Sequence, residues 1–223
     1  TLIAFSIVIA LLALLLILQP DISTLGIIVL VGFLIYFLAG TPFWHSLLMV
    51  SIGFGSLFAL IKLAPYRMQR WITFLNPETD PLGIGYQIKQ SLIAVGSGGL
   101  FGLGLGMSKQ KFGFLPQAMT DSVFAIFSEE TGFVGALVLI SLFLIILWQG
   151  FKISKQAKDN FAQLAGFGIT SWISLQAFLN IGAMIGALPL AGIPLPFLSY
   201  GGSHVVAELA GMGILLNISK HVR

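Results

Sequence analysis

Cysteine is absent from this chain of 223 residues, so disulfides and thiolate metal sites are excluded and the redox compartment stays unread. Charge is scarce as well. Asp, Glu, Lys and Arg make up 9% of the residues, against roughly a quarter in soluble domains. Hydrophobic residues reach 57%, and the mean hydropathy is +1.00. A soluble fold of this size would need far more polar surface, and surrounding lipid removes that need. The net charge of +3 is small, and no basic run points to nucleic acid. His45, His204 and His221 stand alone, without metal-ligand spacing. The chain opens Thr1-Leu2-Ile3, with no initiator Met, basic n-region or small-residue cleavage site. The expectation is a numbering that starts inside a longer protein, not a signal peptide.

What the chain does contain is apolar runs of membrane length. A spanning helix needs about 17–25 such residues. Leu2–Leu18, Thr24–Ala39, Ser46–Ala64, Ser122–Trp148, Phe161–Ala187 and His204–Ile218 qualify or nearly do. None alternates as barrel strands would, and buried backbone must be satisfied internally, so helices are expected. The fold class is an all-α, polytopic membrane protein. Residues 1–64 hold three spans, 65–120 a long polar loop with short helices, and 121–223 three more spans interrupted by a Pro/Gly-rich loop at 188–203. Between the first two spans Pro20 ends a helix, and Ser23 or Thr24 is expected to cap the next. Tyr86–Val95 reads as a short amphipathic helix. The short loop carrying Lys152, Lys155 and Lys158 is placed in the cytoplasm, which puts the long loop outside.

Asp121 is the first candidate for chemistry. Thr120 is a plausible N-cap, which places Asp121 in the first turn of an apolar helix. There the helix dipole favours an anion and burial opposes it, and a simple helix-start acid is the plainer alternative. Glu129 and Glu130 lie about 12–13 Å further along the same helix. Ionisable groups at such depth usually face a partner or a cavity, and a structural ion pair is as good an explanation as a functional one. The two cannot both share Asp121's face, which carries Ala125, Ser128, Gly132 and Gly135. Arg67 and Arg70 follow a span directly, where lipid phosphates sit, although each alone fits a snorkelling anchor. Lys89, Lys109 and Lys111 fit an anchor role less well. The glycine run Gly96–Gly106 lacks the P-loop pattern, so a nucleotide site is rejected. A Ser-His-acid site has no nucleophile elbow to support it. Leu188 to Ser203 carries too many Pro and Gly for a regular helix and must be buried in protein or line a wet cavity.

Taken in order, Gln19-Pro20-Asp21, Pro65-Tyr66-Arg67, Asn76-Pro77, Asp80-Pro81-Leu82-Gly83, Gly85-Tyr86-Gln87, Gln90-Ser91-Leu92, Gln110-Lys111-Phe112, Leu115-Pro116 with Thr120-Asp121, Glu129-Glu130-x-Gly132 and Pro194 to Ser203 resemble the SEDS family of cell-wall polymerases. The wording is closer to the division (FtsW) and sporulation branch than to the elongation branch. The resemblance covers nearly the whole chain. It implies about ten spans, of which these would be the last six. It implies a peptidoglycan glycosyltransferase that polymerises lipid II at the division septum of the bacterial cytoplasmic membrane. The implied partners are a class B penicillin-binding protein and other divisome membrane proteins. The family's essential loop Asp falls on Asp121, and its Glu pair on Glu129 and Glu130, assigned a structural or regulatory role. The implied substrate-binding set is Arg67, Arg70, Gln87, Lys89, Gln90, Ser91, Lys111, Thr120, Ser199 and Gly201. Gln117, Met119 and Ser122 depart from the family's usual Glu, His and Phe, and His204 and Glu208 are more polar than expected.

The mechanism expected has Asp121 as general base, taking the proton from the acceptor sugar's 4-hydroxyl as it attacks the donor's anomeric carbon. The pyrophosphate leaving group needs charge stabilisation more than protonation, a role for Arg67, Arg70, Lys89 and Lys111 or for a divalent cation such as Mg or Mn. No protein metal ligands are assigned. A lipid-linked precursor flippase or transporter is the second hypothesis, and a non-catalytic divisome scaffold the third.

Overall fold

The computed structural model describes residues 2–19, 21–63 and 65–221, with the backbone alone at 54, 56–63 and 65–67. Pro20, and the side chains of Lys62 and Arg67, therefore lie outside the described residues. Eight α-helices and one short 3-10 helix, Pro77–Thr79, occur among them, with no strand. The helices are α1 (Leu2–Leu18), α2 (Ile22–Leu38), α3 (Phe43–Leu63), α4 (Pro65–Leu75), α5 (Ile84–Ser97), α6 (Val123–Gln156), α7 (Asn160–Met184) and α8 (Gly202–Lys220). Each expected apolar segment falls on a helix, and the short amphipathic helix appears as α5. Within the long loop α4 is a further short helix, whose position the sequence reading left open.

By length and hydropathy α6 and α7 are each sufficient to cross a bilayer. Helices α1 and α2, of 17 residues each, reach about 25 Å at 1.5 Å per residue, the lower limit for a span. Leu11, Leu14, Leu15, Phe133, Leu137 and Val138 all point outward. Such a surface would be an aggregation liability in water and is ordinary in lipid. The chain is an all-α membrane protein.

Two compact units are present. One comprises residues 1–63, 147–175 and 210–223. In it, helices approach through small residues. A side chain at Gly150 would meet Thr170, and one at Gly166 would meet Ser154. The Phe5 and Tyr36 rings pack 4.9 Å apart, and the Tyr36 hydroxyl lies 3.1 Å from His45 Nδ1. Asp21, not Ser23 or Thr24, caps α2. Its carboxylate accepts from Thr24 N at 3.0 Å and Thr24 Oγ1 at 2.6 Å, so Thr24 serves as donor and the helix starts earlier than expected.

The other unit comprises residues 64–146 and 176–209. Its core joins Ile88 and Ala94 of α5, Phe124 and Leu139 of α6, Ile181 and Met184 of α7, and Leu195 of the Pro/Gly loop. All the candidate site residues belong to this unit.

Candidate functional site

Asp121 sits at the end of a tight turn. Gln117 takes a left-handed φ of 52°, and its carbonyl accepts from Thr120 N and Ser122 N, both at 3.1 Å. The Thr120 hydroxyl donates to Gln117 Oε1 at 2.8 Å. Thr120 is therefore a turn residue and not the N-cap. The Ser122 carbonyl takes the first helical bond, from Ala125 N at 3.0 Å, and α6 begins at Val123. Asp121 thus precedes the helix. Ser122 anchors the turn, donating to the Pro116 carbonyl at 3.0 Å and accepting from Gln87 Nε2 at 3.1 Å.

The Pro/Gly loop forms the facing wall. Ser199 Oγ donates to the Thr120 carbonyl at 2.6 Å and accepts from Leu195 N at 2.7 Å. Tyr200 N donates to the Met119 carbonyl at 2.8 Å. His204 Nε2 lies 3.1 Å from the Ser199 carbonyl, which can only accept, so that nitrogen carries a proton. Asn180 Nδ2 donates to the carbonyls of Asp121 and Ile193, both at 2.7 Å. Glu208, wholly buried, accepts from Phe197 N at 2.9 Å and Gln176 Nε2 at 3.3 Å. Gln176 Nε2 also donates to the Pro194 carbonyl at 3.0 Å. Irregular backbone needs such partners in a membrane protein, and Glu208 supplies one where Phe197 turns through a φ of 66°.

The carboxylate of Asp121 is half-buried and accepts no hydrogen bond among the described residues. Burial pushes its pKa above the ordinary carboxylate value, and the positive charge of Arg70 pulls part of the way back. No ion pair closes between the two, so Arg70 biases Asp121 without occupying it. A narrow crevice lined by Asp121, Leu179, Asn180, Met184 and Gly192 lies alongside. A Cβ on Gly192 would stand 3.5 Å from Asp121 Oδ2, so the loop backbone borders the carboxylate closely.

Glu129 and Glu130 form a second cluster. Glu129 is 1% exposed. Its carboxylate accepts from Ser108 Oγ at 2.5 Å, Lys109 N at 3.1 Å and Gln110 N at 3.3 Å. Glu130 pairs with Lys111 Nζ at 2.8 Å. Helix α6 breaks just beyond, where Gly132 has φ 70° and ψ −168°. The glycine loop repairs the break. Leu103 N and Gly104 N donate to the carbonyls of Glu129 and Glu130 at 3.0 Å each, while Phe133 N and Val134 N donate to those of Gly99 and Leu100 at 2.8 and 3.1 Å. A side chain at Gly102, φ 81°, would meet the Glu130 carbonyl and Gly132 N, so these glycines permit backbone to lie on backbone.

The structure thus brings Thr120, Asp121 and Ser199 together, with Gln87 attached through Ser122. Two residues of the substrate-binding set have partners within the protein. The Ser91 hydroxyl is buried in the core, donating to the Gln87 carbonyl at 2.8 Å beside Met184 Sδ at 3.6 Å. Lys111 is committed to Glu130 and the Gly106 carbonyl. Lys89 is exposed, Gln90 is half-buried, and a Cβ on Gly201 would meet the His204 ring. Asn180 and Gln176 were missed. A lone Asn or Gln in an apolar helix is the signal that could have found them, since such groups seldom stay unpaired in a membrane.

Known proteins share the sequence and the fold of this chain. The family profile described as cell cycle protein, of FtsW, RodA and SpoVE, matches residues 1–223. Stage V sporulation protein E of Bacillus subtilis is 46% identical over 205 residues, 92% of this chain and 56% of that protein. The probable peptidoglycan glycosyltransferase FtsW of Thioalkalivibrio sulfidiphilus is 42% identical over 211 residues, 93% of this chain and 53% of that one. Among solved structures, rod shape determining protein RodA of Thermus thermophilus superposes with a TM-score of 0.63 at 27% identity, over 99% of this chain and 56% of that one. A chain from a peptidoglycan synthase complex, described as coordinating polymerization and crosslinking, gives 0.74 at 26% identity, over 98% of this chain and 61% of that one. The chain spans about half the length of the curated relatives it matches. It belongs to the FtsW, RodA and SpoVE family, the SEDS membrane proteins.

Proposed function

We propose that this protein is a peptidoglycan glycosyltransferase that polymerises lipid II, with Asp121 as the general base. One observation carries the proposal: a half-buried carboxylate, held by its backbone, takes no internal hydrogen bond among the described residues and lies within the field of Arg70. Burial raises its basicity, as a base requires, and Arg70 keeps the anion accessible. The base takes the 4-hydroxyl proton of the acceptor sugar as that oxygen attacks the donor's anomeric carbon. The new glycosidic bond forms as the bond to the polyprenyl pyrophosphate breaks, with inversion. Arg70, Lys89 and the cationic Arg67 are the groups offered to the departing phosphates.

Names of relatives support the reaction, since several are called probable peptidoglycan glycosyltransferase. A synthase complex among the structural neighbours, described as coordinating polymerization and crosslinking, supports a crosslinking partner, which we take to be a class B penicillin-binding protein. The proposed location is the bacterial cytoplasmic membrane at the septum, with the loop of α4 and α5 outside. Among the described residues no three His, Asp or Glu side chains converge. They do not fit a protein-ligated Mg or Mn site, so no step is routed through a metal.

Proteoliposomes holding the purified full-length protein and fluorescent lipid II test the proposal against transport and scaffolding. Glycan chains are expected. Lipid translocation without polymer, or neither product even with the partner transpeptidase added, would refute the polymerase assignment.

A further inference from the structure

Helical bonding does not secure the peptide that carries Asp121. The first helical bond of α6 is accepted by the Ser122 carbonyl, one residue later, so the Asp121 carbonyl lies outside the helix. Among the described residues its donor is Asn180 Nδ2, at 2.7 Å. The second hydrogen of the same amide goes to the Ile193 carbonyl, also at 2.7 Å. One side chain therefore joins the residue bearing the carboxylate to the loop segment whose Gly192 borders that carboxylate. Asn180 is 2% exposed. Its orientation is fixed, because exchanging O and N would set an oxygen against two carbonyls. The remaining Oδ1 is buried and unpartnered among the described residues. An apolar side chain of the same volume would fill the space and spare that acceptor, but would take the donor from the Asp121 and Ile193 carbonyls. Packing alone does not account for an amide here.

We propose that Asn180 is a positioning residue for the base: it fixes the Asp121 peptide, and so the carboxylate, against the wall of the crevice. The inference rests on Asp121 being that base. A shift of about 1 Å in a reacting group costs on the order of a hundredfold in rate.

The test uses the full-length protein in nanodiscs with lipid II, measuring kcat, KM and thermal unfolding for Asn180→Leu, Asp121→Asn and the double variant. For Asn180→Leu, kcat is expected to fall about 10- to 100-fold, with KM within about threefold of the native value. In the Asp121→Asn background the same change is expected to cost nothing further, since a clasp has no effect once the base is gone. If Asn180→Leu does not fold, Asn180→Gln keeps the amide but displaces it, and the same loss in kcat is expected. Full kcat in the folded variant, a loss confined to KM, or losses that multiply in the double variant would overturn the role of Asn180 while leaving Asp121 in place. Native turnover by Asp121→Asn would overturn both.

Discussion

Replacing Glu129 with Ala should release residues 108–110 from α6. The carboxylate accepts three hydrogen bonds, from Ser108 Oγ, Lys109 N and Gln110 N, and is almost inaccessible to solvent. Hydrogen bonds to a charged group contribute about 1.5–3 kcal/mol each, and a donor left buried without a partner costs about 1–3 kcal/mol. Ser108 can rotate its hydroxyl to another acceptor, and the two amides can reach water if the loop lifts, so the full sum is not lost. About 2–4 kcal/mol of local stability is the expected loss, which corresponds to roughly 30- to 1000-fold easier opening at 1.4 kcal/mol per decade. Amide hydrogen exchange followed by mass spectrometry reads this directly. Peptides covering Lys109 and Gln110 should exchange faster by that factor, while peptides from the first turns of α7 remain unchanged. Glu130→Gln is the internal control. Its pair with Lys111 is partly exposed, and such pairs contribute about 0–1 kcal/mol. Undiminished protection at Lys109 and Gln110 in Glu129→Ala, or equal effects of the two substitutions, would refute the reasoning that the Glu129 carboxylate holds residues 108–110.

Three other outcomes are expected. Arg70→Gln removes the positive charge that holds the Asp121 pKa down, so the acid limb of the polymerisation pH–rate profile should move to higher pH; an unmoved limb would dissociate the two residues. A carboxylate whose folded pKa is raised gives stability that is present at low pH and lost as pH rises through that value, so ionised Asp121 opposes folding at neutral pH. Asp121→Asn should therefore leave the thermal unfolding temperature unchanged or higher. Gly102→Ala places a methyl group against the Glu130 carbonyl at a left-handed backbone position, and should lower the unfolding temperature measurably, whereas Gly99→Ala meets no neighbour and carries only the left-handed backbone strain.

Much of this was legible in the chain because it rests on patterns one residue type can carry. Long apolar runs located α1, α2, α3, α6, α7 and α8, and the Pro and Gly between 188 and 203 marked the break before α8. Asp121 stood out through its motif. What the sequence hid were contacts made by backbone. The partners of Glu129 are two main-chain amides and a serine, and no side-chain pattern announces an amide. The repair of the α6 break by residues 99–104 is likewise main chain to main chain. Capping failed twice for one reason: several polar residues stood within reach, and local geometry chose among them. Asp21 outcompeted Ser23 and Thr24, and a left-handed Gln117 drew Thr120 back into the turn. Glu208 looked anomalous in an apolar segment because its partners, Gln176 and the Phe197 amide, are remote in sequence or silent in it.

The initial rate of lipid II polymerisation by purified Asp121→Asn, compared with native protein in the same membranes and with the same transpeptidase partner, bears on the proposal most directly. General-base catalysis contributes on the order of 10²–10⁴-fold, so a loss of at least about a hundredfold, with unfolding temperature and lipid II binding retained, is expected. Polymerisation at the native rate would contradict the assignment of Asp121 as the base.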